Sequence, residues 1–247
     1  MKKHIPNLIT LLNLFCGCIA ILFAVHNRFE LVALFVFLGI IFDFFDGLAA
    51  RLLDVKSELG LQLDSLADMV TSGVVPGLVM FKLLEMSLSN GWETSGVLSD
   101  SLEISNLWPL LGFVITLASG YRLAKFNVDE NQTDSFIGLP TPANALLIIS
   151  LPLILFYHNN DLLNTMILNP WFLIGLTFIS AFLLNANLPL FALKFKNWSF
   201  VGNEIRYLFL IISGILLATL HYLAVPAIIV FYVLLSVGHR IQHKNIS

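Results

Sequence analysis

The chain has 247 residues, of which 57% are hydrophobic and 12% are charged, and its formal net charge is -3. This composition excludes an ordinary soluble domain and makes the lipid bilayer the expected solvent. The small net charge, without a basic cluster interleaved with aromatic residues, also argues against nucleic acid binding. We therefore expect a single integral membrane domain over residues 1–247.

Apolar windows of about 20 residues recur along the chain and predict an all-α bundle of membrane-spanning helices. Continuous apolar runs favour helices over a barrel, because a lone spanning segment must satisfy its own backbone in lipid. We predict eight spans, at residues 6–26, 31–53, 62–84, 107–126, 142–157, 171–193, 205–221 and 223–241.

The positive charges alternate between the connections, which predicts a multi-pass protein with both termini in the cytoplasm. We expect the membrane to be a bacterial cytoplasmic membrane. One outer connection holds Arg28, and the polar stretch 85–106 contains no Lys or Arg. The basic residues on the predicted cytoplasmic side are Lys2, Lys3, Arg51, Lys56, Arg122, Lys125, Lys194, Lys196, Arg206, Arg240 and Lys244.

Four aspartates interrupt the second and third predicted spans, where each would cost about 2.5–3.5 kcal/mol at a helix centre. Asp43 and Asp46 occur in FDFFDGLAAR, and Asp64 and Asp68 in LQLDSLADMV. Their spacings of three and four residues place each pair on one helix face. The connection at 54–60 folds the two helices together, so we expect four carboxylates in one cavity near the cytoplasmic boundary.

Carboxylates gathered in one cavity repel each other, and one or two divalent cations would offset this repulsion. An oxygen-only ligand set suits Mg²⁺ or Mn²⁺ and argues against zinc, and Mg²⁺ is often shared with substrate phosphates. A phosphate-bearing substrate is therefore expected. Gly47 and Ala50 would let a nucleotide approach the acids, although close helix packing explains small residues as well. Arg51 can reach a diphosphate or anchor its helix at the cytoplasmic side.

Residues 43–68 read D-x2-D-G-x2-A-R-x8-G-x3-D-x3-D, with Gly60 as the later glycine. This pattern resembles the signature of the CDP-alcohol phosphotransferase family at all eight fixed positions. The resemblance implies a homodimer that transfers a phosphoalkyl group from a CDP-linked donor to an alcohol and releases CMP. It also implies a six-helix catalytic core, residues 1–193, so that 194–247 would form two accessory helices.

By the same resemblance, the four aspartates are ligands of two Mg²⁺ or Mn²⁺ ions, and Asp68 is also the base that accepts the alcohol proton. The positions that contact the CDP donor in the family correspond here to Asn7, Gly47, Ala50, Arg51 and Ser57. Solvent exposure is the ordinary explanation for a lone loop serine such as Ser57.

Three further segments resemble the phosphatidylserine synthase branch of the family: IPNLITLLNLFCG at 5–17, SGYRLAKFNV at 119–128 and FIGLPTPANA at 136–145. The implied substrates are CDP-diacylglycerol, held in membrane lipid, and L-serine. The serine carboxylate needs a cationic partner, which makes Arg122 and Lys125 candidate contacts together with Thr141. Positive-inside placement explains the two basic residues equally well, and turn formation explains residues 140–142.

Two alternatives stay open. Another acceptor, such as the glycerol 3-phosphate of a phosphatidylglycerophosphate synthase, would need a denser cationic pocket than Arg122 and Lys125 provide. A cation or proton transporter would also bury acids and could use Pro76-Gly77 as a helix interruption. Its acids should follow a transmembrane route, whereas here they crowd one end and no repeat is visible. A mechanism through phosphohistidine requires H-x-K-x4-D, which no histidine here begins.

Overall fold

The computed structural model describes residues 4–55, 57–88, 107–128, 136–158, 160–191, 199–200 and 203–244. These residues form a helical bundle, which confirms the predicted fold class. The helices are α1 His4–Val25, α2 Phe29–Leu52, α3 Glu58–Asp68, α4 Val75–Leu88, α5 Val114–Val128, α6 Thr141–Tyr157, α7 Asp161–Ile167, α8 Pro170–Asn185, α9 Glu204–Leu220 and α10 Ala224–Lys244. A π-helical segment, Met69–Val74, joins α3 to α4, and 3-10 turns at Trp108–Phe113 and His221–Leu223 precede α5 and α10. Strands β1 Phe136–Ile137 and β2 Pro189–Leu190 pair antiparallel.

Four helical segments in the described part of the chain are long and apolar enough to cross a membrane. They are His4–Val25, Phe29–Leu52, Glu58–Leu88 and Glu204–Gly238, and the bent pair α7 and α8 brings the number to five if it forms one span. Helix α6 is apolar but has only 17 residues. The chain is thus an integral membrane protein, and the number of eight spans stays a prediction.

The segment Glu204–Gly238 folds back on itself as a helical hairpin. His221 has a φ of 51°, a conformation that breaks the helix. The ring of Phe209 lies 6.0 Å from that of Phe231, centroid to centroid, on the other arm. Such a contact requires the arms to run antiparallel, and they correspond to the two predicted spans at 205–221 and 223–241.

The continuous rod of α3, the π segment and α4 lies at the centre of the described bundle. In its most apolar window 72% of the residues are buried, against 33%, 22% and 17% in the other three long segments. Its buried side chains form one apolar cluster with residues of α5 and α6, including Val75, Val79, Met80, Leu83, Leu84, Ile115, Ile148 and Ile154. The acids of α3 therefore lie on the long segment whose apolar window is the most buried of the four.

The rod changes to π geometry directly after Asp68. Pro76 has no N–H to donate to the carbonyl of Ser72, so the α-helical hydrogen-bond ladder is interrupted at this point. A π turn holds an extra residue and alters the register of the side chains that follow. In this segment Thr71 is directed to α1, where its Oγ1 lies 3.2 Å from the backbone carbonyl oxygen and 2.8 Å from the side-chain oxygen of Asn13.

The sequence misplaces some helix ends. The predicted span at 171–193 ends early, at Asn185, because Ala186 is extended and the chain then pairs through β2 with β1. Helix α7 and the strand pair are not predicted. Several basic residues used for orientation lie outside the described residues or have undescribed side chains, so the orientation stays a prediction; they are Lys2, Lys3, Lys56, Lys194, Lys196, Arg240 and Lys244.

Candidate active site

Three carboxylates from α2 and α3 converge at one point. One oxygen from each of Asp43, Asp46 and Asp64 lies within 4.8 Å of the other two. The chain reverses between the helices next to Asp54, which has a φ of 51°. Each pair of acids lies on one helix face, as predicted, and this reversal turns the two faces towards each other.

The three carboxylates fit a divalent cation. Oxygens that share one Mg²⁺ at about 2.1 Å lie up to about 4.2 Å apart, so only a small rearrangement would be needed. The buried Oδ1 of Asp64 has no hydrogen-bond partner among the described residues. A buried charged oxygen without a partner is costly, and a cation would supply the missing partner. The predicted use of a metal is therefore supported by an acidic cluster able to hold an ion.

Asp68 lies one helical turn beyond Asp64, beside this group rather than in it. Its Oδ1 accepts a hydrogen bond from Asn13 Nδ2 at 3.3 Å. Asp43, Asp64 and the guanidinium of Arg122 are all within electrostatic range of its carboxylate. The structure thus brings three of the four predicted metal ligands together and places the predicted base next to them. The roles of the individual aspartates stay predictions.

Helix α1 contributes two buried side chains that the sequence did not single out. Thr10 Oγ1 donates to Asp46 Oδ2 at 2.5 Å, and Asn13 donates to Asp68 as described. Their exposed fractions are 3% and 0%. Asn7, Thr10 and Asn13 are spaced three residues apart in an apolar helix. This polar stripe was the available signal that α1 faces the acids.

A cavity of about 510 Å³ opens beside Asp46 and Asp64. Four of the five residues predicted to contact a CDP donor line it: Asn7, Gly47, Ala50 and Ser57. A Cβ atom built on Gly47 would meet nothing within 4 Å, so the cavity is open at that point. The remaining lining residues are Pro6, Thr10, Val55, Glu58, Gly60 and Leu61. Glu58 was not anticipated.

The other donor candidate, Arg51, does not line this cavity. Its side chain is exposed, and its Nε donates to the carbonyl of Gly47 in the preceding turn at 2.9 Å. Ser57 Oγ accepts a hydrogen bond from the amide of Gly60 at 3.0 Å and so caps α3. The diphosphate contact of Arg51 stays a prediction.

The three predicted serine contacts have different surroundings. Arg122 on α5 is half-buried, makes a long contact from Nη2 to the carbonyl of Gly138 at 3.4 Å, and has a buried Nε without a partner among the described residues. Thr141 is 2% exposed at the start of α6. Lys125 is exposed one turn after Arg122. The structure therefore places Arg122 within electrostatic range of Asp68 and leaves Lys125 at the surface, and serine binding stays a prediction.

Comparison with known proteins agrees with this site. Residues 3–193 match the family model CDP-alcohol phosphatidyltransferase. The CDP-diacylglycerol--serine O-phosphatidyltransferase of Bacillus subtilis (strain 168) is 32% identical over 153 residues, which is 60% of this chain and 75% of that protein. The enzyme of the same name from Methanocaldococcus jannaschii is 34% identical over 176 residues, 71% of each chain.

The enzyme of that name from Helicobacter pylori (strain J99) is 34% identical over 146 residues, 58% of this chain and 55% of that protein. The family model covers more than half of the chain and includes the helices that carry all four aspartates. The chain therefore belongs to the CDP-alcohol phosphatidyltransferase family.

Proposed function

We propose that this protein is a phosphatidylserine synthase, which transfers the phosphatidyl group of CDP-diacylglycerol to the hydroxyl of L-serine and releases CMP. The observation that carries the proposal is the convergence of Asp43, Asp46 and Asp64 beside a cavity with a wall of small and polar residues. The relatives at 32% and 34% identity carry the name of this activity.

The cavity between α1, α2 and α3 suits the CDP group of the donor. Its volume of about 510 Å³ lies within the usual range for small-molecule sites, about 300–1,000 Å³. Gly47 and Ala50 leave room on one side, and Asn7 and Ser57 offer polar groups on the other. The acyl chains would remain in the bilayer, because they are as apolar as the lipid tails around the protein.

Asp43, Asp46 and Asp64 act as ligands in this proposal, and Asp68 acts both as a ligand and as the base. Two Mg²⁺ or Mn²⁺ ions, held by Asp43, Asp46, Asp64 and Asp68, would neutralise charge on the diphosphate and on the departing CMP. Asp68 accepts the proton of the serine hydroxyl. At the same time the serine oxygen forms a bond to phosphorus, and the bond between that phosphorus and the CMP oxygen breaks. This direct transfer needs no covalent intermediate with the protein.

The acceptor would lie on the side of Asp68 that faces α5 and α6. Arg122 is within electrostatic range of Asp68 and has unused hydrogen-bonding capacity at Nε, so it can pair with the serine carboxylate. Thr141 lies near the same end of the site, because the guanidinium of Arg122 contacts the carbonyl of Gly138 just before α6. Lys125, which is exposed one turn after Arg122, would add positive charge at the surface from which serine approaches.

We also propose the arrangement of the whole protein. Both termini and the active site lie at the cytoplasmic face of a bacterial cytoplasmic membrane, and the working form is a homodimer. The catalytic core is residues 1–193, supported by the family match over 3–193. The hairpin of α9 and α10 follows that match and would be accessory.

One assay tests the function and the acceptor together. Purified protein with CDP-diacylglycerol and Mn²⁺ or Mg²⁺ is offered serine, glycerol 3-phosphate and inositol in parallel, and CMP release and the lipid product are measured. We expect phosphatidylserine, loss of turnover on chelation and recovery when the ion is restored. A product from glycerol 3-phosphate alone would replace serine as the acceptor. Full activity in excess EDTA, after exhaustive metal removal, would contradict the role of the carboxylates.

A further inference from the structure

A buried chain of hydrogen bonds runs from the π segment through α1 to Asp68. Thr71 Oγ1 donates to Asn13 Oδ1 at 2.8 Å, and Asn13 Nδ2 donates to Asp68 Oδ1 at 3.3 Å. Asn13 and Thr71 are 0% and 1% exposed. A buried amide is costly unless its donor and acceptor are both paired, and here each end has a partner. The buried Asn13 amide therefore needs Asp68 as an acceptor, and Asp68 in turn receives a hydrogen bond from this amide.

The orientation of the Asn13 amide follows from the groups at its two ends. An ionised carboxylate only accepts hydrogen bonds, so the amide must present its NH₂ group to Asp68. Its oxygen then faces Thr71, whose hydroxyl can donate. Reversal of the amide would bring its oxygen against the carboxylate oxygen of Asp68, which is unfavourable.

Two glycines leave the space that this pair of side chains fills. A Cβ on Gly39 of α2 would lie 2.8 Å from Asn13 Oδ1 and 2.8 Å from Thr71 Cγ2. A Cβ on Gly17 of α1 would lie 2.6 Å from Thr71 Oγ1. All three distances are far below normal contact, so the amide and the hydroxyl are tightly enclosed. Such packing leaves little free space around the amide of Asn13.

We propose that Asn13 is a positioning residue that orients the carboxylate of Asp68 for proton transfer, and that Thr71 holds Asn13 in place. This inference rests on the proposed function, in which Asp68 is the base. The amide takes one acceptor site of Asp68 Oδ1 and so fixes the direction of the carboxylate, whose other sites remain to contact an ion and to accept the proton. A proton acceptor must lie within about 2.6–3.2 Å of its donor, so a carboxylate free to rotate would spend less time in that geometry.

Thr10 and Asn13 of α1 therefore serve different steps. Thr10 donates to Asp46, which lines the donor cavity, whereas Asn13 donates to Asp68, which does not. Loss of Asn13 should slow transfer with little effect on binding of the ion or the donor. A residue that only fills space would instead alter stability and binding together.

The test uses variants of similar shape in the full-length protein. Asn13→Leu removes the amide and Thr71→Val removes the hydroxyl, while Thr177→Val is the matched control, since its buried hydroxyl donates within its own helix to Leu173 O at 2.8 Å. Single-turnover transfer is measured with saturating Mn²⁺ and CDP-diacylglycerol. We expect a loss of about 10- to 100-fold for Asn13→Leu and a smaller loss for Thr71→Val.

The Mn²⁺ affinity, measured by electron paramagnetic resonance without substrate, and the KM for serine should stay within about threefold of wild type for Asn13→Leu. Adding Asn13→Leu to Asp68→Asn should cause no further loss of single-turnover rate, because the amide acts through that carboxylate. A full additional loss, an unchanged rate in the single variant, or a parallel fall in Mn²⁺ affinity would overturn the positioning role. If wild type uses another acceptor, the same cycle is run with it, so that failure of serine as substrate is separated from failure of this inference.

Discussion

Asp46 and Asp68 differ in what surrounds them, although both accept a hydrogen bond from α1. Asp46 is 6% exposed, lines the cavity and receives the Thr10 hydroxyl at 2.5 Å. Asp68 lies outside the cavity lining and within electrostatic range of Arg122. The first position suits a group that binds the donor through an ion, and the second suits a group that meets the acceptor. This difference supports distinct roles for chemically identical side chains.

Replacing Asp68 by Asn should nearly eliminate transfer while donor binding is largely kept. The amide fills the same space and offers one oxygen, but it cannot accept the serine proton. General base catalysis is worth about 10²- to 10⁴-fold, so we expect a loss of at least that order in the single-turnover rate. Asp43→Asn is the comparison, because its proposed role as a ligand predicts weaker binding of both Mn²⁺ and donor.

Both variants are measured for donor affinity and single-turnover rate at saturating Mn²⁺. Near-normal transfer by Asp68→Asn would mean that the proton goes elsewhere, and Asp68 would then be a metal ligand only.

Arg122→Ala should raise the KM for serine far more than the KM for the CDP donor. A hydrogen bond to a charged group contributes about 1.5–3 kcal/mol, which corresponds to about a 10- to 100-fold change in KM. Lys125→Ala should act in the same direction but less strongly, because Lys125 is exposed and its charge is screened by solvent. Steady-state kinetics with each substrate varied in turn gives both constants. Equal changes for both substrates would refute serine recognition by these residues.

The site of the four aspartates could be predicted from the sequence, because a charged side chain in an apolar membrane helix raises the free energy of insertion and so indicates a function. Asn7, Gly47, Ala50 and Ser57 were found through the family pattern, and the structure places all four at the cavity. Thr10 and Asn13 were missed, because uncharged polar residues are common in membrane helices. Their role depends on which face of α1 meets α2 and α3, and the three-residue spacing of Asn7, Thr10 and Asn13 was the signal that could have identified that face.

At the scale of elements, the sequence located most helices but not their local geometry. The predicted span at 62–84 lies inside the rod Glu58–Leu88, whose start is set by the Ser57 cap. A π turn changes backbone register without changing hydropathy, so its sign in the sequence is Pro76, which removes an N–H donor from the helix. Helix α7 and the pairing of β1 with β2 depend on contacts between distant segments, which periodicity alone does not reveal.

Helix α4 packs closely against the 3-10 turn Trp108–Phe113, and this contact predicts how one substitution affects stability. A Cβ on Gly112 would lie 2.9 Å from the Cα of Phe81, whereas a Cβ on Gly175 of α8 would meet nothing within 4 Å. Gly112→Ala should therefore destabilise the protein by about 1–3 kcal/mol through overpacking. The melting temperature should fall by about 2–4 °C per kcal/mol for a chain of this size.

Gly175→Ala is the matched control and should leave the melting temperature unchanged or slightly higher, because alanine favours a helix over glycine. Thermal unfolding of both variants in the same detergent is the measurement. A normal melting temperature for Gly112→Ala would mean that the two segments can separate at no cost.

At the scale of the whole molecule, charge placement predicts where each connection lies. The polar stretch 85–106 should face away from the cytoplasm, and Ser95, which is outside the described residues, is a suitable reporter. Ser95→Cys in a Cys16→Ala, Cys18→Ala background should react with a membrane-impermeant maleimide added to intact cells. His4→Cys, at the exposed start of α1, should react only after the membrane is opened. Labelling of Ser95→Cys only from the cytoplasm would show that the orientation is wrong.

The count of spans illustrates what the sequence could not establish at this scale. Hydropathy predicts eight segments, whereas length and composition support four or five among the residues that the structure describes. The two numbers differ for three reasons. Helix α6 is short, and α7 and α8 are bent relative to each other. Helices α9 and α10 are joined through a tight reversal at His221 and count as one segment. Apolar composition shows that these segments avoid water, but it does not show how each one crosses the bilayer.

The residues that line the donor cavity all come from one short stretch of chain, between Pro6 and Asp64. During synthesis this half of the site leaves the ribosome well before Arg122 and Thr141 are made. If α2 and α3 entered the membrane separately, each would expose its carboxylates to lipid, with a free-energy cost of about 2.5–3.5 kcal/mol per carboxylate. We therefore expect α1, α2 and α3 to enter the membrane as one unit, with the carboxylates already turned inwards when the later helices assemble around them.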